Sequence, residues 1–301
     1  LSLFCFQQKK KKTRAKRNQK KNKNDSQNQK EKGNRKMSVK VAVRVRPFNP
    51  KEQSEGAKLA ITMEGNTTII TSADGKSKDF AFDHSFWSHD GFTTDDKGYY
   101  HAADDKYIDQ AKVFELLGVE ILNNAWEGYH CCLFAYGQTG SGKSYSMVGY
   151  GANKGIVPIS TADIFRRIQE NDNPDKSYEV SFSMLEIYNE RIRDLLSKDP
   201  PTKGGLKVRE SKIMGVFVEG LSKHPVDSYA AIEAKMEEGN TNRTIGSTLM
   251  NATSSRAHTI INIEFKQNEI ITGKKTEKFS VINLVDLAGS EKAGQTGATG
   301  D

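Results

Sequence analysis

An apolar run, Tyr129-His130-Cys131-Cys132-Leu133-Phe134-Ala135-Tyr136, leads straight into Gly137-Gln138-Thr139-Gly140-Ser141-Gly142-Lys143-Ser144. No other feature narrows the fold so far. The second string matches G-x-x-x-x-G-K-[ST], in which glycines let backbone N–H groups fold around a β-phosphate, Lys143 reaches the β/γ oxygens and the Ser144 hydroxyl ligates Mg²⁺. A chance Gly/Ser/Lys loop would lack the buried strand in front of it; here the strand-loop-helix setting is met. Asp286 closes a second apolar strand, Val281-Ile282-Asn283-Leu284-Val285, where a carboxylate can hold Mg²⁺ through water. Alone, Asp286-Leu287-Ala288-Gly289 is a weak signal, because acidic residues often end strands. Behind a phosphate loop it is strong. With Asn251-Ala252-Thr253-Ser254-Ser255-Arg256-Ala257-His258 between them, the segments read as a nucleoside triphosphate site with two stretches able to sense the terminal phosphate.

The surrounding pattern is that of an α/β chain. Val39-Lys40-Val41-Ala42-Val43-Arg44-Val45 alternates and predicts a strand, ended by Arg46-Pro47. Shorter strands are expected at 59–63, 68–71 and 80–82. Ala111, Val113, Phe114, Leu117, Ile121, Leu122 and Ala125 recur at helical spacing, predicting a helix over 108–126 beside the strand that enters the loop. Residues 87–107, polar and carrying five aspartates, read as a surface insertion. A helix at 156–168, a strand at 178–184 and a helix at 227–238, capped by Asp227 or Ser228 and stopped by Gly239, follow. Residues 258–265 and 278–287 predict neighbouring strands joined by a polar hairpin at Gly273. This alternation implies a central, largely parallel sheet covered on both faces, with an antiparallel portion from the hairpin. The 301 residues, 36% apolar, suit one large domain or two small ones, with no repeat or linker after Met37.

Charge is unevenly spread. Residues 1–36 hold 14 Lys and Arg against Asp25 and Glu31, whereas the remaining 31 basic and 36 acidic residues give a net of −5. This Lys/Asn/Gln-rich stretch lacks apolar periodicity and is expected to be a disordered basic tail able to grip a polyanion. The alternative is that it lies outside the natural protein, since the chain opens on Leu1 and Met37-Ser38 precedes the first strand. Leu1-Ser2-Leu3-Phe4-Cys5-Phe6 is too short for a signal core, and no apolar run approaches membrane-spanning length. Three cysteines offer neither a disulfide framework nor a C-x-x-C site. His84, His89 and His101 lie near several aspartates without ligand spacing, so a polar loop is the better reading than a metal site.

From Val39 to Asp301 the chain resembles the kinesin motor domain. The resemblance rests on Arg44-Val45-Arg46-Pro47, the 134–144 loop segment, Glu186-Ile187-Tyr188-Asn189-Glu190, the 251–258 segment and Leu284-Val285-Asp286-Leu287-Ala288-Gly289-Ser290-Glu291, all in family order. Phe82-Asp83-His84-Ser85-Phe86-Trp87-Ser88-His89 and Val208-Arg209-Glu210 are similar to the kinesin-3 transport branch. The implied fold is a P-loop NTPase of kinesin type, a central mixed, mostly parallel sheet with helices on both faces. The implied activity is ATP hydrolysis with Mg²⁺, coupled to microtubule binding and movement in the cytoplasm. By this resemblance Arg44, Arg46, Pro47 and Tyr145 pack about the adenine, offering stacking surfaces, and residues Gly137 through Ser144 hold the phosphates. Ser255 joins Ser144 and Asp286 at Mg²⁺, Ser254 holds the attacking water, and the Gly289 N–H bonds the γ-phosphate. Arg256 pairs with Glu291 to close the pocket and relay the water's proton. The loop from Arg209 to Val218 corresponds to a tubulin-facing one. No nucleic acid partner or membrane insertion is implied.

Two departures stand out. Ala257 replaces the serine usual before the histidine, which predicts altered loop stability more than lost chemistry. The chain also stops at Asp301, short of the family's later elements, so the expectation is a motor domain over 37–301, incomplete at its C-terminus, poorly stable and unable to walk by itself. Two other classes compete. A GTPase switch needs an N-K-x-D base reader, and the only match, Asn22-Lys23-Asn24-Asp25, sits upstream in the basic tail. A noncatalytic microtubule-binding scaffold would have no use for the intact Lys143, Ser144, Asp286 and Glu291.

Overall fold

The computed structural model describes residues 1–10, 39–199, 204–211, 215–249 and 254–291. The first elements are β1 (Ser2–Lys10), β2 (Val39–Val45), the short helix α1 (Pro50–Ser54), β3 (Ile61–Glu64), β4 (Thr67–Thr71), β5 (Ser77–Ala81) and β6 (His84–Trp87). Next come β7 (Phe92–Thr94), β8 (Tyr100–Ala102), α2 (Gln110–Val113), α3 (Val119–Trp126), β9 (Tyr129–Tyr136), α4 (Lys143–Met147), β10 (Gly149–Tyr150), β11 (Asn153–Lys154) and α5 (Ile156–Gln169). The last are β12 (Lys176–Tyr188), β13 (Arg191–Asp194), β14 (Lys207–Ser211), β15 (Gly215–Glu219), β16 (His224–Val226), α6 (Tyr229–Leu249), β17 (His258–Ile271) and β18 (Lys274–Asp286).

The central sheet runs β13-β12-β17-β18-β9-β1-β2-β6, with β16 also on β12. It is mixed, as expected, and its balance leans towards antiparallel pairing: β18–β9 and β2–β6 are parallel, and the other ladders are antiparallel. The long pair β17–β18 accounts for much of this, because a two-residue turn at Thr272-Gly273, with φ of 49° and 74°, reverses the chain in the hairpin geometry that twisted strands favour. The parallel pairing matters most for the site. It sets Asp286 opposite Ala135, two residues before the glycine loop.

The expectation of a disordered tail over 1–36 is corrected at its start. Ser2–Lys10 pairs antiparallel with both β2 and β9, inside the sheet. The physical reason is local: basic residues begin only at Lys9, and ahead of them Phe4 and Phe6 alternate onto one face and are buried there. The remainder of the basic stretch lies outside the described residues.

Helices α2 to α6 pack on one another and on the sheet face that carries Phe4, Phe6, Leu133, Phe182, Ile263 and Leu284. Among the described residues this is the one face that helices cover. The helix expected over 108–126 forms as α2 and α3 joined through a wider turn at Phe114–Gly118. The helix expected to stop at Gly239 instead runs on to Leu249. Gly239 is a packing residue: a Cβ there would fall 2.4 Å from Met184 Sδ on β12, so any larger residue would make the methionine side chain shift for α6 to keep this approach to the sheet.

Candidate nucleotide site

Strand β9 delivers the loop 137–142, and Gly142, at φ 98°, makes the left-handed turn that starts α4. Lys143 is buried, with Nζ donating to the carbonyls of Gly137 at 2.8 Å and Gln138 at 2.9 Å. Burial lowers its pKa, while Asp286 and Glu291 pull it back up. The Ser144 hydroxyl donates to Asp286 Oδ2 at 2.5 Å. Asp286 Oδ1 and Ser141 Oγ are buried without a hydrogen-bond partner. Burial therefore raises the Asp286 pKa, against the opposing bond from Ser144 and the charge of Lys143.

The segment 286–291 folds over this loop. The N–H of Leu287 donates to the Ala135 carbonyl and that of Ser290 to the Gly137 carbonyl, while Gly289 N–H donates to the Ser255 carbonyl at 2.8 Å. Ala288 N–H donates to His258 Nδ1 at 3.0 Å, and the Thr139 N–H and hydroxyl both donate to the Glu291 carboxylate. Those bonds, the hydroxyl's first, hold Glu291 below the usual carboxylate range. Arg256 is exposed at the end of the 3₁₀ turn Ser254–Arg256, and the Glu291 carboxylate is held by the loop donors of Thr139. Residues 251–253 lie outside the described residues.

The other end of the site is built on Arg44, which is buried on β2. Its Nε donates to Ser88 Oγ at 2.9 Å, its Nη1 to Gln110 Oε1 at 2.6 Å and Ser146 Oγ at 3.0 Å, and its Nη2 to the Ile108 carbonyl at 3.3 Å. The guanidinium also lies 5.3 Å from the Tyr145 ring centroid. Arg46 reaches the loop through Gly140 O at 2.6 Å and grips Glu52 with two bonds of 2.7 Å, which hold that carboxylate at about 2. Arg44, Arg46, Pro47, Ser141, Gly142 and Tyr145 line one cavity, and Tyr100 and Tyr107 from the 87–107 insertion complete it.

Thus the sequence-derived residues of the loop, Asp286 and the adenine set converge, and Ser255 and Gly289 meet through their backbones. Sequence reasoning missed Ser88, Gln110, Ser146, Glu52 and His258. Glu52 carried a readable signal, since Asn49 and Glu52 form a capping box; Gln110 carried none.

The oxygen donors suit a hard divalent cation. Ser144 and Asp286 already meet, and the second Asp286 oxygen is buried and unpartnered, which a metal would satisfy. No cluster of three His, Cys, Asp or Glu able to hold a metal occurs among the described residues, so serine hydroxyls and substrate oxygens would complete such a shell.

A family model described as the kinesin motor domain matches residues 44–301. Kinesin-related protein 1 of Dictyostelium discoideum is 45% identical over 277 residues, covering 86% of this chain and 12% of that protein. Kinesin-like protein KIF1C of Homo sapiens is 48% identical over 266 residues, covering 86% of this chain and 23% of that protein. A solved chain, KIF14 with ADP in complex with a microtubule, superposes with a TM-score of 0.72 at 35% identity, covering 86% of this chain and 71% of that one. The chain thus spans less than a quarter of the length of those two curated relatives.

Proposed function

The chain belongs to the kinesin motor domain family, and from that premise we propose that it is the nucleotide-hydrolysing part of an ATP-driven microtubule motor. One observation carries the reading: a segment ending β18 is bonded at once to the phosphate loop and to the 254–258 segment, so a group seated on the loop is felt by both. The likeness to KIF1C supports the kinesin-3 assignment.

In this reading Gly137, Gln138, Thr139, Gly140, Ser141 and Gly142 wrap the phosphates of ATP, and Lys143 turns from the loop carbonyls to the β/γ oxygens. Ser144, Ser255 and Asp286 hold Mg²⁺, which when bound supplies charge neutralisation on those oxygens. Arg44, Arg46, Pro47 and Tyr145 form the seat of the base. Ser254 holds the attacking water. The Gly289 N–H exchanges the Ser255 carbonyl for the γ-phosphate, and Glu291 leaves Thr139 to meet Arg256 and close the pocket. Loss of the phosphate releases both segments, and that difference is what biases a distant surface. The partner surface includes the hairpin β14–β15, which exposes Val208 and Val216; its residues 212–214 lie outside the described residues. The place of action is the microtubule in the cytoplasm.

ATP turnover measured with and without polymerised tubulin tests this. Stimulation of about tenfold or more is the expected result. Turnover indifferent to tubulin would reject the motor reading, and preference for GTP over ATP would reject the nucleotide assignment.

A further inference from the structure

Residues 87–107 read from sequence as a polar surface insertion, yet they hold a hairpin that faces the site. Its strands β7 and β8 pair with Phe92 opposite Ala102 and Thr94 opposite Tyr100. The tip is tied down from within: Asp95 Oδ1 accepts the Lys97 N–H at 2.9 Å and the Tyr99 N–H at 2.8 Å, and Gly98, at φ 81°, makes the reversal. Tyr100, half-buried at the start of β8, lines the same cavity as Arg44, Arg46, Pro47 and Tyr145. Phe92 backs it, with ring centroids 4.8 Å apart, and lies 5.3 Å from the Tyr107 ring, so the hairpin meets the site as an aromatic cluster.

A chain of buried hydrogen bonds fixes where the hairpin sits. Asn153 on β11, 6% exposed, accepts the Tyr100 N–H on Oδ1 at 3.0 Å and donates from Nδ2 to the Gly98 carbonyl at 2.7 Å. Its own carbonyl accepts from Gln110 Nε2 at 3.3 Å, and Gln110 also donates to the Tyr145 carbonyl at 2.7 Å and accepts from Arg44 Nη1 at 2.6 Å. Two side chains therefore register the hairpin against both of the groups that the base would touch. A surface insertion with no role in the site would have no need of that register.

We propose that the hairpin β7–β8 is a roof over the base end of the nucleotide pocket, with Tyr100 as a second aromatic wall, beside Tyr145, against which the base packs. The inference rests on the nucleotide reading above and adds to it a residue that binds the base and leaves the phosphates alone. An aromatic face contributes to holding any planar base, and losing it should be felt only by a ligand that carries one.

Calorimetric titration of the parent, Tyr100→Phe and Tyr100→Ala with ADP and, separately, with tripolyphosphate, both with Mg²⁺, tests the roof. Tyr100→Ala should lose ADP affinity by about fivefold or more and keep tripolyphosphate within about twofold, whereas Tyr100→Phe should bind both ligands within about twofold of the parent. ADP affinity unchanged in Tyr100→Ala would overturn the proposal. So would a parallel loss of both ligands, the mark of a hairpin that only supports the fold, or a Tyr100→Phe variant as weak for ADP as Tyr100→Ala, which would put the hydroxyl in place of the ring face. A parent that binds neither ligand would instead take down the nucleotide reading itself, and this inference with it.

Discussion

The two corners of the nucleotide site are built on opposite principles. Around Arg44 four of the five guanidinium N–H groups find a partner inside the protein, at Ser88, Gln110, Ser146 and the Ile108 carbonyl. Around Lys143 the accounting is left open, with Ser141 Oγ and Asp286 Oδ1 buried and unpartnered and the ammonium bonded only to loop carbonyls. A buried polar group without a partner costs free energy, so natural folds keep few of them. The difference separates scaffold from receptor. The corner around Arg44 shapes the cavity, and the one around Lys143 leaves polar groups open to an incoming phosphate.

That contrast can be broken by substitution. The largest effect is expected at the open corner: Lys143→Ala should weaken ATP binding by about 10²- to 10³-fold while leaving the unfolding midpoint nearly where it was, because no other side chain depends on the ammonium. Titration of ATP alongside thermal unfolding checks both halves. At the Arg44 corner the signature should reverse. Arg44→Met leaves Gln110, Ser88 and Ser146 without their buried donor and should cost about 2–4 kcal/mol of stability, read from urea denaturation, with tripolyphosphate affinity largely kept. The smallest effect belongs to the surface clamp between them. Glu52→Gln should cost at most about 1 kcal/mol near neutral pH, since the pair is partly solvated. Arg46 lowers the Glu52 pKa from its ordinary 4.5 to about 2. A depressed carboxylate stabilises the fold above its unfolded pKa and ceases to do so as pH falls through the folded one. The gap between parent and E52Q midpoints should therefore narrow as pH drops from about 4.5 towards 2, and a gap that widened would show the clamp to be misassigned.

The open corner was largely legible in the sequence. The strand at 129–136, the glycine loop and Asp286 are short-range patterns whose chemistry follows from residue type and spacing. The Arg44 corner was not, because Arg44 meets Gln110 across 66 positions and Ser146 across 102, and no local signal couples them. β1 escaped for a different reason: the composition of a long basic stretch, averaged over its length, hid six residues that alternate like any strand. Gly239 was misread as a helix stop because a glycine needed for close packing and one needed for a left-handed turn look alike in one dimension. The Glu291 contact with Thr139 could not have been inferred, since it joins a backbone N–H and a hydroxyl to a carboxylate 152 positions away, with no local signal coupling them.

The side-by-side alignment of β18 with β9 has a consequence for how such chains can vary. Because side chains along a strand alternate between the two faces, one residue inserted between Phe279 and Asp286 would turn the carboxylate to the opposite face, away from Ser144. Residues added at the Thr272-Gly273 reversal would shift nothing near Ser144 and Asp286. Length is therefore free at the distal tip of this hairpin and frozen along its last turn of pleat, so the tip is where lineages can lengthen or graft new surface at no chemical risk.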